Sequence, residues 1–261
     1  MRFTPSSDKP VANSTKSSAS AGKNRLYLIV GVVALAILAF VAFQAMSGGQ
    51  AATQPLSGEM DPAEVQRARG VALGVETAPV QLYEFADFQC PACASFTTFA
   101  HPLIFERLVD QGIVRFVRYD FPIVAGHPHA FLAARAARCA EEQNLYWEYH
   151  DVLYGHQPTW SALRNPAREF ENYAGLVGLD EGPFSDCLNS DRHADEVTRN
   201  LRLGESLGVN GTPTLMLNGE RVQISDYNDL EARVFQAAGR PAPSSSGGAP
   251  ADSAAASAAA G

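Results

Sequence analysis

The hydrophobic pattern divides the chain into unequal parts. From Leu26 to Phe43, eighteen residues run without a charge, and Gly31 is the only weak helix former among them. As a helix this run reaches about 27 Å at roughly 1.5 Å per residue, enough to cross a hydrocarbon core. A core helix of a globular protein carries a polar face. This run has none, so it predicts a single N-terminal transmembrane helix over 26–44. Residues 1–25 lack periodicity and predict a disordered tail. Residues 45–72 hold Gly, Gln, Ser, Pro and Ala, and predict a linker. Residues 239–261 are almost wholly Pro, Ser, Gly and Ala, too poor in apolar surface to offset the entropy of ordering. The folded body is expected over 73–238.

Within the body the period alternates between that of strands and that of helices. Val80, Leu82, Tyr83 and Phe85 predict a strand, followed by helix from Pro91, where a missing N–H costs nothing. Pro102 should split that helix. Ile113–Phe121 predicts a second strand. A helical block over about 125–207 comes next, with segments at His129–Glu142, Leu145–Tyr154, Arg168–Leu176, Pro183–Leu188 and Asp191–Leu207. Pro213–Leu217 and Arg221–Ile224 predict strands joined by an Asn218-Gly219 hairpin turn, and Asp226–Ala237 a closing amphipathic helix. Strands separated by helices imply an α/β fold with a central sheet.

Charge sharpens the picture at both ends. The formal net charge is −8, yet residues 1–25 set five cations against Asp8 alone, so this tail is +4 and the remainder −12. An acidic body repels a phosphate backbone, so no nucleic-acid partner is expected. Lys23 and Arg25 flank the apolar run, and no Lys or Arg occurs again until Arg67. The positive-inside tendency places the tail in the cytoplasm and the body outside the cell membrane, periplasmic or extracellular. A cleaved signal peptide, with Ala45 and Ser47-Gly48-Gly49 near the cut, is the competing reading. The long start and long apolar run favour an uncleaved anchor.

Candidate chemistry centres on Cys90-Pro91-Ala92-Cys93, where a strand ends and a helix starts. The thiolate is the reactive form of cysteine, and a helix N-terminus stabilises it through free N–H groups and the dipole. Cys93 lies one turn on, on the same face, placed to resolve a mixed disulfide. A zinc site needs a second ligand pair, which Cys139 and Cys187 do not form; His127 and His129 are the available substitutes. A structural Cys90–Cys93 bond would close too short a loop to stabilise much. Gly211-Thr212-Pro213-Thr214 precedes a strand, where proline is tolerated and a cis bond is possible. Tyr146, Trp147, Tyr149, Tyr154 and Trp160 fit core packing better than a binding groove. His101, His150, His156 and His193 receive no role.

The stretch Leu82–Phe96, L-Y-E-F-A-D-F-Q-C-P-A-C-A-S-F, resembles the DsbA-like branch of the thioredoxin superfamily, as does the helical block before Thr212-Pro213. The resemblance implies a thioredoxin fold with a helical insertion between the second strand and the cis-proline strand. It implies Cys90 as exposed nucleophile, Cys93 as resolving thiol, and a cis Pro213 opposite them. There the Thr212 backbone could pair with an extended substrate. It implies that Glu84 is the buried acid near the site, relaying protons to the resolving thiol. Its parity with Val80 and Leu82 agrees with an inward direction. Cys139 and Cys187 are then expected to form a structural disulfide, with a second redox pair as the alternative.

The function expected on this resemblance is disulfide introduction into unfolded or reduced exported proteins, with a membrane redox partner resetting the pair and no metal or organic cofactor. A reductase or isomerase, and a non-enzymatic thioredoxin-fold chaperone or assembly module, are the alternatives. The family's strongest oxidants carry His between the cysteines. Pro91-Ala92 lacks it, so a weaker oxidant is expected.

Overall fold

The computed structural model describes residues 60–241. The expected anchor over 26–44, the tail over 1–25 and most of the C-terminal tail lie outside the described residues. Among the described residues no helix is long and apolar enough to cross a membrane.

Five strands form one sheet: β1 (Val71–Leu73), β2 (Val80–Ala86), β3 (Val114–Asp120), β4 (Thr214–Leu217) and β5 (Glu220–Val222). Their order is β1-β3-β2-β4-β5, with β2 and β3 parallel and every other pair antiparallel. The parallel pair requires a crossover, supplied by α2 (Pro91–Phe99), α3 (His101–Ile104) and a π-helical turn at Phe105–Val109. The break between α2 and α3 falls just before Pro102, whose ring cannot continue a helix. At the β4–β5 hairpin, Asn218 and Gly219 both take positive φ, at 51° and 91°, the geometry that Asn-Gly favours.

The ordered body starts earlier than residue 73. Part of the expected linker forms α1 (Pro62–Ala68) and β1. Asp61 caps α1 by accepting the Ala63 N–H at 2.9 Å, and Val71 pairs with Arg118 on β3. Both elements are too short to show a period; their apolar partners come from elsewhere in the fold.

The insertion comprises α4 (Ala130–Glu141), α5 (Tyr146–Gly155), α6 (Gln157–Ser161), α7 (Ala167–Leu176), α8 (Glu181–Leu188) and α9 (Ala194–Ser206). A last helix, α10 (Tyr227–Ala237), closes the body. Within the insertion, only α6, a single turn around Trp160, has no counterpart in the helices expected from sequence. Strand alternation divides the core: Val80, Leu82, Phe116 and Leu215 pack with α3 and α10, whereas Phe85, Tyr119 and Met216 pack with α9 and α1. On α9, a Cβ at Gly204 would lie 2.5 Å from Phe121 Cδ2, so glycine permits the close approach of that helix. Cys139 on α4 is bonded to Cys187 on α8. Closing a loop of 48 residues contributes about 4 kcal/mol in the chain-entropy picture.

A buried ionic network binds insertion to sheet. Asp120 at the end of β3 accepts from Arg118 Nη1 at 2.7 Å and from Arg138 Nε at 2.8 Å. All three side chains have 0 % exposure, so neither arginine has a water alternative. Tyr146 and Tyr154 accept from Arg118, and Asn200 on α9 accepts from Arg138. The aromatic series of α5 and α6 is therefore core and arginine support, not a groove: Tyr149 and Trp160 are fully buried.

Candidate active site

Cys90 occupies the N-cap of α2 with extended backbone, and Pro91 is the first helical residue. Its thiol donates to the Thr212 carbonyl at 3.4 Å. The Thr212–Pro213 bond is cis, and the Cys90–Thr212 contact sets the Thr-Pro turn against the C-x-x-C turn. Cys90 keeps 7 % exposure and Cys93 none. Cys90 is thus the more accessible of the two cysteines, but less open than expected of an exposed nucleophile, with the Thr212 carbonyl against its sulfur.

The two thiols are electrostatically unequal. Cys90 is drawn down to about 5, chiefly by the hydrogen bond from the Cys93 thiol. Partial burial opposes this, and Thr212 and the N–H groups of Cys93 and Ala92 at the helix start assist it. Cys93 is pushed far above the ordinary thiol range, first by burial, then by its hydrogen bond to Cys90 and the Glu84 charge. A thiolate at Cys90 and a thiol at Cys93 is the division of labour that exchange requires.

The folded-state value of Cys90 is depressed, so the thiolate's contribution to the reduced protein is complete above the ordinary thiol value and is lost as pH falls through about 5. Alkylation of the reduced protein by iodoacetamide should therefore be flat near neutrality and halve near pH 5. A midpoint near the free-thiol value, roughly 8.5, would remove the electrostatic argument.

The turn before Cys90 is held by residues to which the sequence assigned no supporting role. The buried Asp87 carboxylate accepts the Gln89 N–H at 2.7 Å and the Ile123 N–H at 2.8 Å, and contacts His127 Nδ1 at 2.8 Å. Gln157 on α6 donates to the Phe88 carbonyl at 2.6 Å and the Cys90 carbonyl at 3.0 Å. His129 Nε2 meets the Leu163 carbonyl, so His127 and His129 are both engaged away from Cys90 and Cys93. Among the described residues, the cluster with metal-ligand spacing is Cys139, Cys187 and His193, whose sulfurs are tied in the disulfide.

Glu84 points inward from β2 and has 0 % exposure. It sits opposite Arg118 of β3 and beside His101, with Oε2 3.3 Å from the ring Nε2. Burial raises its proton affinity, but His101, and beyond it Arg118 and His150, hold the carboxyl below its usual range. His101 and His150, given no role from sequence, are both buried here and stacked. Their one signal along the chain was an aromatic neighbourhood, which does not reveal a partner.

A groove of about 520 Å³ opens beside the cysteines, lined by Ala92, Phe96, Phe99, Pro213, Ile224 and Tyr227.

The thioredoxin family profile matches residues 66–234. The chain belongs to that family. Within it the DsbA-like resemblance holds. The chain is 26 % identical over 167 residues to disulfide bond formation protein D of Bacillus subtilis, covering 62 % of this chain and 74 % of that protein. It is 39 % identical over 166 residues to the Na(+)/H(+) antiporter NhaA 3 of Salinispora tropica, covering 63 % of this chain but only 24 % of the antiporter. Among solved structures, oxidised BdbD from Bacillus subtilis superposes with a TM-score of 0.61 at 21 % identity, over 67 % of this chain and 95 % of BdbD. Reduced DsbG from Mycobacterium tuberculosis gives 0.58 at 24 %, over 72 % and 93 %. At these identities the structural matches speak to the fold: a thioredoxin fold with a helical insertion.

Proposed function

We propose that this DsbA-like chain is an extracytoplasmic protein disulfide oxidoreductase that introduces disulfides into exported proteins. The observation that carries the reading is the inequality of Cys90 and Cys93. Stabilising the Cys90 thiolate favours the reduced protein, so the oxidised pair tends to give its disulfide away. A substrate thiolate attacks Cys90 Sγ, the bond to Cys93 breaks, and a mixed disulfide forms beside Pro213. A second substrate thiolate attacks the substrate sulfur of that bond, forming the substrate's disulfide and releasing Cys90 as thiolate. The Thr212 backbone and the apolar groove suit an extended, unfolded chain. Glu84 is the acid–base group serving Cys93. The segment over 26–44 anchors the protein in the cell membrane with the body outside, where a membrane redox partner reoxidises the pair. The transport activity named for the antiporter relatives is not carried over, since the chain spans 24 % of the first of them.

Equilibration of the protein with a glutathione series tests the direction. A potential of roughly −120 to −180 mV is expected for a disulfide donor, toward the lower end because no His separates the cysteines. A potential near about −270 mV would make the protein a reductant and overturn the donor reading.

A further inference from the structure

The proton inventory behind the cysteines is larger than exchange by two thiols needs. Glu84 and His101 are both buried, and their Oε2 and Nε2 atoms lie 3.3 Å apart. Neither carboxylate oxygen and neither ring nitrogen has a well-formed hydrogen bond within the protein. His101 is otherwise enclosed by aromatic rings, with the centroids of Phe96, Phe105 and Phe116 at 5.3, 5.1 and 5.1 Å. Its fourth neighbour is the His150 ring, stacked at 5.4 Å and 12°. Packing does not account for this arrangement. An apolar side chain would fill the aromatic box without the desolvation that each poorly bonded polar atom incurs. Buried titratable groups of this kind cluster where protons are moved.

We propose that His101 shares the proton that Glu84 exchanges with Cys93, so that the Glu84–His101 pair, not Glu84 alone, sets the rate at which Cys93 enters and leaves its disulfide. The inference rests on the oxidoreductase reading above and deepens it at the resolving thiol. His101 touches neither substrate nor the reacting sulfurs; it is a positioning residue acting through Glu84. The charged and titratable groups around the Glu84–His101 pair are Arg118 from β3 and Cys93 from α2 on the Glu84 side, and His150 and Asp151 from α5 on the His101 side. Arg118 is committed to Asp120, Tyr146 and Tyr154. His150 is held well below the usual imidazole range by burial, with Arg118 and His101 adding to it, and its Nδ1 meets Asp151 Oδ1 at 2.9 Å. His101, with Nε2 at 3.3 Å from Oε2, is the imidazole in contact with Glu84.

The step balances. With a small thiol attached to Cys90, Cys93 Sγ attacks Cys90 Sγ and gives its proton to the pair. The Cys90–Cys93 bond forms, the bond to the attached sulfur breaks, and the small thiol leaves as thiolate. In the opposite direction the Cys93 thiolate takes the proton back.

The full-length protein carrying a Cys90–glutathione mixed disulfide reports this step through the release of glutathione. His101→Gln is expected to slow release by about 10-fold or more near neutrality and to change its pH profile, at the lower edge of what general acid–base groups supply. Cys90 alkylation in the reduced variant should stay as in the wild type. Glu84→Gln combined with His101→Gln should be no slower than Glu84→Gln alone, because the two act in series. Additive losses, or an H101Q profile equal to wild type, would overturn the proposal. Should H101Q fail to fold, the His101 ring is titrated by NMR in the wild type. Its midpoint should coincide with that of glutathione release, and a mismatch rejects the idea. If the wild-type protein releases no glutathione at all, the oxidoreductase reading itself has failed. Release that is indifferent to His101 removes this inference alone.

Discussion

Replacing Cys90 by Ala is expected to abolish thiol–disulfide exchange, a loss on the order of 10³-fold or more, as when other enzymes lose a nucleophile. The size of the effect reflects the site's asymmetry. Cys90 is the sulfur at the helix start, drawn down to about 5, and Cys93 is buried and pushed up. Without Cys90 the remaining thiol is both protonated and without access to a substrate sulfur. The fold should survive, because Cys90 makes no side-chain cap bond to its helix. Cys93→Ala should differ in kind: Cys90 loses the hydrogen bond that chiefly draws it down, yet it still forms mixed disulfides with substrates, and these accumulate because the resolving thiol is gone. Insulin reduction or refolding of a reduced model substrate, followed by mass spectrometry of trapped species, reads both variants. Retention of wild-type activity by Cys90→Ala would eliminate the enzyme reading in favour of a thioredoxin-fold chaperone.

Asp120→Ala should cost about 3–5 kcal/mol of stability, the usual penalty for breaking a buried ion pair from one side. Asp120 neutralises two arginines at once, at 2.7 and 2.8 Å, all with 0 % exposure. Removing it leaves Arg118 and Arg138 facing each other without their shared anion. Arg138 keeps Glu141 at 3.1 Å and Glu196 at 3.7 Å, but the remaining side-chain partners of Arg118, Tyr146 and Tyr154, are neutral. For a domain of this size the loss corresponds to a fall in Tm of roughly 6–20 °C. The effect should reach the active site, because Arg118 lies over the Phe88 ring at 4.0 Å and Tyr154 donates to the Asp87 carbonyl at 3.2 Å. Thermal and urea unfolding of the reduced and oxidised forms measure it. A change below about 1 kcal/mol would mean that the arginines find solvent, contrary to their burial.

Much of the site was legible in the chain because its signals are local. Pro91 behind Cys90 marks a helix start, Pro213 ahead of Thr214 marks a strand start, and Asn218-Gly219 marks a two-residue turn. Each reflects a backbone restriction carried by the residue itself. The inward direction of Glu84 was also readable, since strand parity with Val80 and Leu82 fixes its face. The early start of the body was not readable. β1 has three residues, too few for a period, and exists because β3 offers an edge.

By itself, then, the sequence determined the order of elements, the C-x-x-C pair at a helix start, the Thr212-Pro213 turn and the acid beneath them. Tertiary structure alone decided which polar groups meet in the interior. His101 joins Glu84 across the crossover, Gln157 reaches back to the Cys90 carbonyl, and Arg138 finds Asp120 from the insertion. A turn or a strand face is set by the residues that form it, so short-range pattern reveals it. The state of a buried charge is set by the partners that replace its water, and those come from segments far apart in the chain.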